Sequence, residues 1–261
     1  MNLTINLIEE RQEATVLKEA RSRFDNVKSI NIEAFKYDKH ICKIELVLWL
    51  GKKYIKRLIT IDNLELDTCD ELLNYSYNKS RLIICNHLSD IDPLIFIALS
   101  KKPLTFAAKV EVKKMPFVGR VVTLLGGKFL NRDDLKQQLR VMKEIEQDMT
   151  CYPNLDWVIF PEGTRNKEPL KDPIQFHHGT FRPAFKTNSD IYVTALYGTF
   201  RILKIDNKFK FYPVELAYIF KFTKDDYQNS STSLIANKSY ELIKNKLYEL
   251  RELDSSKIKM N

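Results

Sequence analysis

No stretch of this 261-residue chain approaches the roughly 18 uninterrupted apolar residues that a membrane-spanning helix requires. The nearest candidate, Ile41 to Ile61, is broken by Lys43, Glu45, Lys52, Lys53, Lys56 and Arg57, so work at a bilayer would be done on it rather than through it. Paired cysteines are missing as well. Cys42, Cys69, Cys85 and Cys151 lie far apart without a CxxC spacing, which points away from a zinc site or a disulfide framework and toward a reducing, intracellular compartment. Met1 to Arg11 carries Glu9 and Glu10 and no long apolar core, unlike a secretory signal. There is no internal repeat, no low-complexity run and no nucleic-acid signature.

What is present is the composition of a globular protein, 44% hydrophobic and 29% charged, long enough to bury a substantial core. The formal net charge of +8 predicts an anionic partner: nucleic acid, a phospholipid surface or a phosphorylated substrate. Acids are interspersed with the bases through most of the length, and the missing motifs leave nucleic acid the weakest of the three.

Hydrophobic spacing divides the chain. Residues 7–25 read as a partly amphipathic helix, and Ile41 to Ile61 as a hairpin around Gly51-Lys52-Lys53. From about residue 80 strand and helix patterns alternate. Strands are expected at Leu82–Cys85, Leu104–Ala108, Lys128–Leu130, Trp157–Phe160, Ile191–Tyr197 and Lys208–Leu216. Helices are expected from Pro93 with Asp92 as cap, over Phe117–Leu125 stopped by Gly126-Gly127, over Asp133–Met149, near Thr180–Lys186 and over Ser231–Leu253. Such alternation predicts an α/β fold, a largely parallel mixed sheet flanked by helices, with a small N-terminal helix-and-hairpin appendage. The corresponding units are residues 1–60, a possible membrane-surface element; 61–253, the main domain; and 254–261, a frayed tail.

Two segments carry chemistry. Asn86-His87-Leu88-Ser89-Asp90-Ile91-Asp92 sets a histidine at the end of a buried strand with a carboxylate five positions on, and ligands of open α/β sheets bind at strand carboxyl ends. A turn could bring Asp92 to one imidazole nitrogen and leave the other as a base. Phe160-Pro161-Glu162-Gly163-Thr164-Arg165 follows another buried strand, with Gly163 for a tight turn, Arg165 as a planar fork suited to phosphate and Glu162 as an acceptor. A His with an Asp five positions on arises by chance in roughly one protein in five; the specified pentapeptide Pro161 to Arg165 arises in about one chain in 10^4. His177-His178 lacks a third ligand at metal-site spacing and reads as a surface or substrate-channel pair, and Lys113 to Phe117 as a solvated turn or a bilayer contact.

These motifs, NHxxxxD and FPEGTR, resemble those of the glycerolipid acyltransferase family, over about Leu82 to Gly198. In the family's order there follow matches at Lys109, Glu111, Pro116, Gly119, Gly126 or Gly127, Phe129 and Arg132, and further on at Phe176, Gly179, Phe181, Arg182 and Ala184. The chain departs at Val193, where the family carries a proline. The resemblance implies transfer of a fatty acyl group from acyl-CoA or acyl-acyl-carrier protein to a glycerol phosphate hydroxyl, specifically the 2-hydroxyl of 1-acylglycerol 3-phosphate. Glycerol 3-phosphate, another lysophospholipid, or a non-catalytic anionic-lipid-binding role are the alternatives. His87 would be the base and Asp92 its partner, with Lys109, Arg132, Glu162, Gly163, Thr164 and Arg165 at the acceptor. No metal or resident cofactor is implied. The partners would be the lysophospholipid, the acyl donor and an anionic membrane surface, with the protein cytoplasmic and peripheral at the inner face of the membrane.

Overall fold

The computed structural model describes residues 30–37, 41–48, 57–62, 79–99, 104–115, 119, 122–123, 125–201 and 211–259. Among them nine strands form one sheet: β1 (Ile30–Tyr37), β2 (Ile41–Leu48), β3 (Arg57–Asp62), β4 (Leu82–Cys85), β5 (Leu104–Lys109), β6 (Lys128–Leu130), β7 (Asp156–Ile159), β8 (Ile191–Tyr197) and β9 (Phe211–Phe222). Their order is β1-β2-β3-β9-β8-β4-β7-β5-β6. Five of the eight pairings are parallel, and the antiparallel ones are β1–β2, β2–β3 and β8–β9. The sheet is mixed and mostly parallel, as the alternating pattern predicted.

The anticipated hairpin is β2–β3, and β1, which the spacing did not single out, adds to it in register from Ile30 opposite Leu48 to Tyr37 opposite Ile41. β9 runs on to Phe222, six residues past the expected end. The expected helix at 7–25 lies outside the described residues, as does most of 117–125, of which Gly119, Val122 and Thr123 are helical. That helix closes as foreseen: Gly126, at φ 74°, and Gly127 donate their amides back to Thr123 and Val122, the paired bonds of a left-handed glycine cap.

The central strands β4, β7 and β8 are buried along their whole lengths, the signature of parallel strands covered on both faces. On one face Leu82, Ile84, Trp157, Ile159, Ile191, Val193 and Ala195 pack under α2 (Leu135–Cys151) and α5 (Thr232–Lys259). α2 starts at an Asp134 cap that accepts from the Gln137 amide, and buries Val141, Met142, Ile145 and Met149 at three- and four-residue spacing. The segment near Thr180 is a 3-10 turn, His178–Phe181, leading into α3 (Arg182–Thr187). The short α4 (Lys224–Tyr227) precedes α5, which continues as helix through the expected tail to Lys259.

Candidate active site

The parallel strands β4, β5, β6 and β7 all end at the same edge of the sheet, where Lys109 is the last residue of β5 and Asn86-His87, Arg132 and Glu162 follow β4, β6 and β7 within three residues. β4 and β7 are neighbours, with Ile84 opposite Ile159, so the two motifs emerge side by side although their contacting residues lie 75 positions apart. Asn86 anchors the first loop. Its side-chain amide donates to the Leu196 carbonyl at 2.9 Å and accepts from the Leu196 amide at 2.8 Å, prolonging by side chain the pairing of β4 with β8. Val193, where the sequence resemblance led one to expect a proline, sits at an irregularity in the β8–β9 register, and the hydroxyl of the adjoining Thr194 donates to the Ile84 carbonyl at 2.9 Å.

The loop then turns back on itself. His87 Nδ1 lies 2.8 Å from Asp92 Oδ2, and the same oxygen accepts the amides of Leu88 at 2.7 Å and Ser89 at 2.9 Å. Asp92 was expected to cap α1 (Asp92–Leu99), but it is the first helical residue, and the first i to i+4 bond runs from the Ile95 amide to the Ile91 carbonyl. One carboxylate oxygen, Oδ2, thus serves the histidine and the loop, while Oδ1 is buried with no hydrogen-bond partner among the described residues. Because a carboxylate only accepts, the contact assigns the Nδ1 proton and leaves Nε2 of a neutral ring with a free lone pair. Asp92 is fully buried, while His87 keeps 18% side-chain exposure, with Phe160 stacked on its ring at 4.4 Å.

Glu162 is the joint between the motifs. Its Oε1 accepts the His87 amide at 2.7 Å and its Oε2 the Ile174 amide at 2.9 Å. Burial pushes its carboxyl up to about 7, against the opposing effect of those two bonds. Both oxygens hold backbone, so Glu162 braces the His87 loop where the sequence suggested an acceptor for a hydroxyl. The next residue, Gly163, has φ 65°, and a Cβ there would lie 3.1 Å from His177 Cδ2 and 3.2 Å from Arg132 Nη2. Arg132 and His177 thus flank the turn, and Arg132 Nη2 is buried with no hydrogen-bond partner among the described residues.

The remaining predicted residues are dispersed around this centre. Arg165 Nη1 donates to Asp90 Oδ2 at 2.8 Å, tying the end of the second motif to the middle of the first. Lys109 pairs with Glu111 at 2.5 Å beside β5, on a 3-10 turn (Val110–Lys114), and Thr164 is exposed. Sequence reasoning placed Phe160 in the motif without its stacking on His87, and passed over Asn166 and the proximity of His177. Asn166, one residue past the second motif, donates its amide to the His87 carbonyl at 2.8 Å. No spacing signals that contact, because it spans two loops. Among the described residues no three His, Cys, Asp or Glu side chains are placed to share a metal ion, and no helix is long and apolar enough to cross a membrane.

A histidine oriented by a carboxylate at a strand end, beside a glycine turn flanked by an arginine and a second histidine, is an arrangement that can take a proton from a hydroxyl next to an anion. Residues 58–197, which contain both motifs, match the family model described as Acyltransferase, and the chain belongs to that family. Among its relatives, the 1-acyl-sn-glycerol-3-phosphate acyltransferase of Borreliella burgdorferi is 34% identical over 122 residues, 46% of this chain and 47% of that protein. The enzyme of that name from Saccharomyces cerevisiae is 26% identical over 132 residues, covering 47% of this chain and 43% of its own. The match thus spans about half the length of these curated relatives. The crystal structure of the 1-acyl-sn-glycerophosphate (LPA) acyltransferase of Thermotoga maritima shares the fold, with a TM-score of 0.55, 22% identity, and coverage of 68% of this chain and 69% of that one.

Proposed function

We propose that this protein transfers a fatty acyl group from acyl-CoA or acyl-acyl-carrier protein to the 2-hydroxyl of 1-acylglycerol 3-phosphate, yielding phosphatidate. The observation that carries the reading is the His87–Asp92 pair, held at 2.8 Å with Asp92 Oδ2 also fixed by two amides. An alcohol is a poor nucleophile at neutral pH. His87 Nε2 takes the hydroxyl proton as the oxygen attacks the thioester carbonyl, and Asp92 stabilises the imidazolium that forms. The tetrahedral oxyanion collapses, the C–S bond breaks, and the proton passes from His87 to the leaving thiolate. The ester and the free thiol are the products, and His87 returns to its neutral form.

Arg132, with an unpartnered buried nitrogen, and His177 across Gly163 supply the charge and hydrogen bonds for the acceptor phosphate. Arg165 and Lys109, paired with Asp90 and Glu111, would add positive charge to the acceptor site. The names of the relatives support the choice of acceptor. A lipid acceptor and a net charge of +8 support attachment to an anionic membrane surface, at the inner face of the membrane.

The deciding assay supplies oleoyl-CoA or oleoyl-acyl-carrier protein with lysophosphatidate, glycerol 3-phosphate and a lysophospholipid in parallel. Phosphatidate is the expected principal product, and His87→Ala removes it by about 10^2 to 10^4-fold. Turnover that survives His87→Ala, or free fatty acid as the principal product, overturns the assignment.

A further inference from the structure

The backbone of His87 is held from both sides by one strap, the segment that leaves the second motif and returns to the 3-10 turn before α3. Its amide donates to Glu162, whose other oxygen is held by the Ile174 amide. Its carbonyl accepts the Asn166 amide at 2.8 Å, while the Asn166 side chain donates to the Asp172 carbonyl at 3.0 Å. Both routes from His87 therefore end on Asp172 to Ile174, and Pro173 between them stiffens the link.

That short stretch is in turn gripped by α5, which lies wholly outside the matched residues 58–197. Lys244 Nζ lies 2.8 Å from Asp172 Oδ2, and the Tyr248 hydroxyl donates to Asp172 Oδ1 at 2.5 Å. The Tyr240 hydroxyl donates to the Pro173 carbonyl at 3.2 Å, and Arg251 donates to the Lys171 carbonyl. Residues 240, 244, 248 and 251 succeed one another at helical spacing, so they form one polar stripe along α5. The carboxyl of Asp172 is lowered chiefly by its bond from Lys244 and next by that from Tyr248, so it meets both donors as a carboxylate.

We propose that Tyr240, Lys244 and Tyr248 of α5 are positioning residues for the acyl-transfer site, setting the place of the His87 backbone through the strap at Asp172–Ile174. The proposal takes its kinetic readout from the acyl-transfer reading and its structural readout from the chain alone. A base displaced by even 1 Å costs about 10^2-fold in rate. Loosening the strap lowers kcat while the cations that meet the acceptor stay in place, and KM for both substrates is unchanged.

Lys244→Met and Tyr248→Phe test this in the full-length protein, with Lys244→Arg as the conservative rescue. The expected result is a fall in kcat of ten- to a hundredfold in Lys244→Met, a smaller fall in Tyr248→Phe, near-constant KM, and recovery of most of the rate in Lys244→Arg. Releasing Ile174 removes one of the bonds that hold the Glu162 carboxyl down, so the acid limb of the kcat profile moves to higher pH in Lys244→Met. Among the described residues, His87, Asp92, Cys85 and Tyr240 are titratable groups that interact with Glu162, and none is altered in these variants. Amide hydrogen exchange is read in parallel: the amides of His87 and Ile174 exchange at least tenfold faster in Lys244→Met, while those of Leu104–Phe106 do not change. Wild-type protein without turnover would sink the acyl-transfer reading and leave the exchange result to judge the coupling. Unaltered exchange at His87 and Ile174, or unaltered kcat in folded Lys244→Met, overturns the proposal, and so does a loss of Tyr248→Phe activity that appears entirely as raised KM.

Discussion

At the scale of single residues the site is organised by two buried carboxylates with opposite duties. Asp92 puts one oxygen on the ring of His87 and two amides, so Asp92→Asn, which alters the tautomer the ring is held in, is expected to reduce turnover on the order of 10^3-fold. Steady-state rates beside urea unfolding separate that loss from any loosening of the loop. Glu162 holds only backbone, and its carboxyl, pushed up to about 7 by burial, lies above its unfolded value of roughly 4.3. The native state thus binds this proton more tightly, and the stability it contributes is present below the unfolded value and is lost as pH rises through about 7. Compared with Glu162→Gln, wild type should lose on the order of 3 kcal/mol between pH 4.3 and 7 by this route, read from paired urea titrations. Activity should move the other way, because only the carboxylate accepts both amides without competition, so kcat falls as pH drops below about 7. Gly163→Ala carries a left-handed φ of 65° and a Cβ against Arg132 and His177. A cost of about 1–2 kcal/mol in stability is expected, with a raised KM for the phosphorylated acceptor and not for the acyl donor.

Individual elements are fastened at the edge of the sheet opposite the site. Arg81, at the start of β4, donates Nε at 2.9 Å and Nη2 at 2.6 Å to Asp156 Oδ2 at the start of β7, and its amide donates to Asp156 Oδ1 at 3.0 Å. The pair is 2% and 1% exposed, with Tyr192 of β8 4.9 Å beneath the guanidinium. This clip aligns the starts of the two strands whose ends deliver His87 and Glu162. Arg81→Ala removes a closely paired guanidinium from a buried carboxylate and should cost about 3–5 kcal/mol. In Arg81→Met with Asp156→Leu much of that loss should return, as seen by thermal unfolding, because no charge is then left buried. The strand starts lie across the sheet from the chemistry, so the double variant should retain kcat.

Across the whole molecule, α5 serves two layers at once. Its apolar side, with Ile235, Ile243, Leu247 and Leu250 all nearly inaccessible, closes the core over β8 and β9. Its polar stripe grips the strap. A chain ending at residue 231 should therefore lose its cooperative unfolding transition by calorimetry as well as its turnover, since several side chains worth about 1.5–3 kcal/mol each would be exposed. The polar-stripe variants separate the two roles, because they leave the apolar side intact.

Much of this was legible in the residues themselves. Local periodicity located β4 and β8 to the residue and α2 to within two, because burial on a sheet or a helix face imposes its spacing on the sequence. The two motifs declared a histidine, its carboxylate and a glycine turn by residue type alone. β1 and the last turns of β9 and α5 escaped, since a strand or helix end is set by its neighbours more than by its own composition. Only the tertiary structure decided that β4 and β7 lie side by side, that Glu162 serves the His87 backbone, that Arg165 answers Asp90, and that a helix beginning at Thr232 holds Asp172 and Pro173. Each of those contacts joins residues far apart in the chain. Their partners are selected by packing in three dimensions, which leaves no period along the sequence to read.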